Sequence, residues 1–206
     1  MKKLIITAAC TAIALSGFAQ GTVGFKNAVT TEFYTGTVTG GVLTSSVVVP
    51  ASSTAIDVGL FYSTAAFNTI AAGTLGGVVT FSTAAGQIAG SAAYEPNGVN
   101  GGDSDYYQVF AWDASYGATL SGLEACVAAG GLFGASSAGA ANAVYGAIGN
   151  SILIVANTSP ASGPPIFNTS GNSFGKTVIL TNVPEPTTLA LGGLGAAAML
   201  LFRRRK

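Results

Sequence analysis

Residues 106–113 read YYQVFAWD. Tyr, Val, Phe and Trp crowd this stretch, and these residue types suit a pleated, packed surface. Alternation splits it into two sides, with Tyr107, Val109, Ala111 and Asp113 against Tyr106, Gln108, Phe110 and Trp112. The stretch therefore predicts a strand. Phe110 and Trp112 read as core, because large aromatics on a β-run usually pack inward.

Similar runs lie on either side. Residues 22–27, 42–49, 55–63, 78–81, 152–156 and 176–180 are rich in Val, Thr, Phe, Tyr and Ile, and Gly, Asn, Ser and Pro separate them. In DVGLFYS, residues 57–63, Val58, Leu60 and Tyr62 fall on one side. Many short strands without alternating helices predict a mainly β domain, an antiparallel sandwich or jelly roll. One short helix is expected. Ser121 and Glu124 have the spacing of a capping box, LEACVAAGG follows, and Gly130-Gly131 marks the stop. The tetrapeptide STAA occurs at Ser63 and at Ser82, but the similarity ends there, so no repeat architecture is expected.

The 206 residues fit one domain between two appendages. Residues 1–19 have the form of a secretory signal peptide. Lys2 and Lys3 precede an apolar run from Leu4 to Leu15, and Gly17 and Ala19 place small residues before a cut between Ala19 and Gln20. A lipoprotein signal ending at Cys10 fits less well, because Thr7 stands where a branched apolar residue is needed. Residues 183–206 read VPEPTTLALGGLGAAAMLLFRRRK. Leu189 to Phe202 is apolar or small, about 21 Å long as a helix. That length spans a bilayer only marginally. Arg203, Arg204, Arg205 and Lys206 then act as a stop-transfer cluster that holds the end in the cytoplasm. The exported domain is expected to occupy residues 20–182.

Charged residues make up 8% of the chain, and six of the eight basic ones lie in the two appendages. The central part keeps Lys26 and Lys176 against seven acids, a net charge of −5. Nucleic acid is excluded as a partner, because phosphate binding needs a concentrated basic patch. The chain has no His, which removes the commonest general base and the commonest metal ligand together. Cys126 is left alone once Cys10 leaves with the signal, and it reads as a small buried apolar residue.

Val183, Pro184, Glu185 and Pro186, the short Gly/Ala/Leu run and the terminal Arg cluster together resemble the PEP-CTERM protein-sorting signal. The resemblance implies recognition and cleavage near Pro184–Pro186 by an exosortase, a membrane-embedded, transpeptidase-like protease. Glu185 would be a recognition residue in a substrate, not a catalyst. The stretches YQVFAWDASYG and LEACVAAGGLFGASS also resemble the exported domains of PEP-CTERM proteins from Verrucomicrobia-like bacteria. That group carries no activity to transfer.

No catalytic constellation emerges. Asp103 and Asp105 in GVNGGDSDYY offer oxygens to Ca²⁺, but their spacing matches neither an EF-hand nor a GGxGxD turn. The plain expectation is a Gly-rich loop with local Asp hydrogen bonds. Gly102-Asp103-Ser104 lacks the His that a serine esterase requires. Asp105 and Asp113 sit at opposite ends of one strand, about 26 Å apart, too far for a glycosidase pair. No metal site, cofactor or catalytic residue is expected. The sequence points to an exported structural or adhesive protein of the cell surface or exopolysaccharide matrix. It would insert transiently in the inner membrane and be processed by signal peptidase and exosortase. The alternatives are a carbohydrate-binding module that stacks sugars on Trp112, or a carboxylate-dependent glycoside hydrolase.

Overall fold

The fold comes from a computed structural model that describes residues 21–27, 30–39, 42–136, 151–156, 163–167 and 178–182. The strands are β1 (Val23–Phe25), β2 (Phe33–Thr39), β3 (Val42–Val48), β4 (Ile56–Ser63), β5 (Thr74–Val79), β6 (Ser91–Tyr94) and β7 (Ser104–Asp113). Helix α1 (Leu120–Ala128) follows, then β8 (Leu132–Ala135), β9 (Ile152–Val155) and β10 (Val178–Asn182). Among the described residues the domain is mainly β with one short α-helix, as the sequence predicts.

Among the described residues, eight strands form one open sheet in the order β3-β2-β10-β8-β7-β4-β5. Strand β9 pairs with the first half of β7, and β8 pairs with its second half. The YYQVFAWD run is thus the organiser of the sheet. Its strand β7 lies antiparallel along the whole of β4, from Ile56↔Asp113 to Ser63↔Tyr106. A second, two-stranded sheet joins β1 to β6, and residues 163–167 run beside β1.

The alternation in β4 and β7 sorts side chains into two cores, one on each face of the large sheet. Val58, Leu60, Tyr107, Val109 and Ala111 share one face with Phe33, Val178 and Leu180. The ribbon residues Val23 and Phe25 pack against it, with Phe81, Ile88, Val99 and Ile166 from loops. Phe61, Phe110, Trp112 and Phe133 share the other face, covered by Leu123 and Cys126 of α1. Phe61 and Phe110 meet edge-to-face at 4.9 Å. Such a pair adds about 0.5–1.5 kcal/mol to the area it buries. Both faces of the central strands are therefore dry, which is why β7 reads as nearly continuous large apolar residues.

Local detail follows the packing. Gly59 sits opposite Phe110 on β4, and a Cβ there would lie 2.9 Å from the Trp112 ring. The absent side chain is the space the indole fills.

Three features depart from the sequence reading. The sheet is not antiparallel throughout, because β10 runs parallel to β2, from Val178↔Phe33 to Leu180↔Thr35. Nearly the whole domain lies between those strands in sequence, ample for the crossover that parallel pairing demands. Strands β2, β6 and β8 were not expected: FYTGTVT and LFGA are interrupted by Gly, and SAAY is short and half Ala. The helix cap is Thr119 rather than Ser121. Thr119 Oγ1 accepts from Gly122 N–H at 3.1 Å, and Ser121 lies within the first turn. The stop is where expected, with Gly130 at φ +69° and Gly131 N–H donating to Cys126 O.

Candidate functional site

Strand β10 is the last described element, and it delivers the C-terminal tail. Val178, Ile179, Leu180 and Thr181 are all buried. The strand lies between β2 on one side and β8 on the other, with Thr181↔Phe133 and Asn182↔Leu132 in antiparallel register. The chain is held in the interior of the sheet as far as Asn182, one residue before Val183. Val183, Pro184, Glu185, Pro186, the apolar run and Arg203–Lys206 lie outside the described residues, as do Ala19 and Gln20 at the expected signal cut. Among the described residues, no helix is long and apolar enough to cross a membrane.

Trp112 presents no open ring face for a sugar. It is 0% exposed, beneath α1, and its Nε1–H donates to Gly117 O at 3.0 Å. A stacking residue needs an open face, and both faces of this ring are packed. The strand position that marks Trp112 as aromatic and alternating is the position that buries it.

The Gly-Asp loop forms the local turn. Asp103 Oδ2 accepts from Asn100 N–H at 2.9 Å and from Asn100 Nδ2 at 3.1 Å. Asp105 begins the buried part of β7 at 5% exposure. Burial, with the neighbouring Asp103 charge, pushes its carboxyl above the usual range. Among the described residues, no group of three or more metal-ligating side chains converges. Asp105 and Asp113 stand near the two ends of β7, as the strand reading requires, and Asp113 Oδ1 accepts from Ser115 N–H at 2.8 Å.

Cys126 is buried in the α1 core, and its thiol donates to Leu132 O at 3.3 Å. Burial raises its pKa, the reverse of what a nucleophile needs. A shallow cavity of about 220 Å³, lined by Ala66, Phe67, Asn68 and Ser151, has no titratable side chain in its wall. It is smaller than the ~300 Å³ at which ligand pockets begin.

One feature of the site could not be read from sequence. It is the burial of β10 from Val178 to Thr181, in a strand that ends at Asn182 where the sorting motif begins. The VIL triplet signals a strand, but nothing local says that two partners flank it.

Residues 182–206 match the family model of the PEP-CTERM protein-sorting motif. The match begins at Asn182, the end of β10. No curated protein and no solved structure matches the chain. The chain therefore carries a C-terminal sorting signal that marks it as an exported protein targeted to an exosortase.

Proposed function

We propose that this is a non-enzymatic surface protein, delivered outside the cell and released from its membrane tail at Pro184–Pro186 to act structurally or adhesively on the outer surface or in the exopolysaccharide matrix. The observation that carries it is the sorting motif joined directly to the folded domain, with β10 ending where the motif begins. Residues 1–19 act as the Sec signal removed by signal peptidase. Arg203, Arg204, Arg205 and Lys206 hold the tail until exosortase acts. Glu185 is the residue read by that enzyme. The burial of Trp112 and Cys126 and the local tying of Asp103 and Asp113 fit a domain built for packing rather than chemistry. Kinship with a Verrucomicrobia-like group is part of the same proposal.

The test is the intact mass and location of the protein from its native cell, beside a Glu185→Ala form. The expected native protein lacks both ends, and the variant stays uncut in the membrane fraction. A native protein that keeps Lys206 would overturn the processing step and make the tail a permanent anchor.

A further inference from the structure

We propose that the arm formed by the end of β2 and the start of β3 rests against lipid headgroups while the sorting tail is uncut. The proposal rests on the tail being inserted in the membrane, and it adds which end of the domain faces the bilayer.

Topology supplies the direction. Strands β2 and β10 are parallel neighbours, so the chain leaves the domain at the same end as the β2–β3 arm. Leu180 pairs with Thr35, which puts Asn182 level with Thr37. Thr37 pairs with Ser45 across the arm, and its carbonyl accepts from Thr44 Oγ1 at 3.1 Å. Val38↔Leu43 and Thr39↔Val42 lie further along, past the point where β10 ends. From Asn182 to Leu189, where the apolar run begins, the chain advances seven residues, at most about 25 Å fully extended. Two of these residues are Pro184 and Pro186, which stiffen the link and limit coiling. An inserted tail thus keeps the arm within one short tether of the headgroups. The other end of the sheet, where β7 starts, lies about 33 Å further out, the length of that ten-residue strand.

The arm itself is uncharged. From Phe33 to Val49 the chain has no charged residue. Thr37, Thr44, Ser45, Ser46 and Val47 are exposed along the arm. Neutral hydroxyls can hydrogen-bond the phosphate and glycerol oxygens of lipid headgroups. Acids stand at both ends of the sheet, Asp103 and Asp105 at the start of β7 and Asp57 and Asp113 level with the end of β10, so the direction rests on the topology and the short tether. The occupant of the arm is therefore a lipid surface, and the contact fixes the height at which Pro184–Pro186 meets a membrane-embedded protease.

The experiment uses the chain from Gln20 to Lys206, which keeps every described residue, in nanodiscs of phosphatidylcholine and phosphatidylglycerol. Single variants Ser45→Cys on the arm, Thr64→Cys beyond the far end of β4, and Leu194→Cys in the tail each carry an environment-sensitive fluorophore. The unsubstituted chain controls for labelling of buried Cys126. Nitroxide-headgroup lipid is the quencher. The expected result is quenching at residue 45 several-fold greater than at residue 64, with a blue-shifted probe at residue 194. A shifted probe at 194 with equal or reversed quenching at 45 and 64 overturns the arm contact and leaves the inserted tail standing. Quenching at 45 that appears only when exosortase-bearing membranes are supplied assigns the arm to a protein and also overturns the lipid contact. An unshifted probe at 194 overturns the inserted tail itself.

Discussion

Among the described residues, the buried Tyr107 hydroxyl on β7 has no hydrogen-bond partner. An unmade buried hydrogen bond costs about 1–3 kcal/mol. Tyr107→Phe keeps the ring and removes the cost, so it is expected to raise stability by about 1 kcal/mol in urea unfolding. Asp57 and Asp105 pose the same problem with charge. Burial raises both carboxyl pKa values, and the Asp103 charge adds to the shift at Asp105. A raised value means that the folded chain holds the proton more tightly than the unfolded chain. Stability therefore falls as pH rises from the ordinary carboxylate range through the raised value, and the loss persists at pH 7. Asp57→Asn and Asp105→Asn are expected to raise the melting temperature at pH 7. Below about pH 3.5, where both states are protonated, the gain should vanish. Gly59 works in the other direction. Gly59→Ala presses a methyl into the Trp112 and Phe61 rings at 2.9 Å, an overpacking expected to cost about 1–3 kcal/mol.

At the scale of elements, the cap of α1 separates the sequence reading from the fold. A capping box at Ser121 predicts that Ser121→Ala weakens the helix and Thr119→Ala does not. The Thr119 Oγ1 bond to Gly122 N–H reverses this. Thr119→Ala is expected to lower stability by about 1 kcal/mol and Ser121→Ala to change it little, read from thermal unfolding. The box occurs in sequence only at Ser121, whereas the helix starts two residues earlier on a plain Thr119 cap and packs Leu123 and Cys126 into the core. Strands β4 and β7 were legible because both carry dense aromatic and branched residues over eight and ten positions. Strands β6 and β8 have four residues each, with Ala or Gly among them, and owe their strand form to their neighbours rather than their own propensity. The two edges of the sheet also differ. Edge strand β5 is partly covered, since Asn97 N–H donates to Gly76 O and Pro96 packs over Gly76. Among the described residues no strand pairs with the outer side of β3, and Val47 is 66% exposed on it.

For the whole molecule, the sorting signal was legible in full, because it is a linear pattern read without a fold. The place of β10 was not, because a five-residue strand says nothing about partners distant in sequence. That place makes a sharp prediction. A chain ended after Asn182 keeps every described strand and is expected to melt like the full-length exported domain. A chain ended after Thr177 loses the strand between β2 and β8, and it is expected to show no cooperative unfolding by near-UV circular dichroism. Equal melting of the two would show that β10 is not structural. The cut expected at Pro184–Pro186 falls on the safe side of this boundary, so release from the membrane need not disturb the sheet.

Strand β10 also has a mechanical meaning. It is laddered to β2 over Val178–Leu180 and to β8 over Thr181–Asn182, and both ladders run along its axis. A pull from the membrane therefore shears the rungs of both ladders together instead of peeling them one at a time. Shear loads several rungs at once, so β10 is expected to resist tension applied at Asn182 better than an edge strand would.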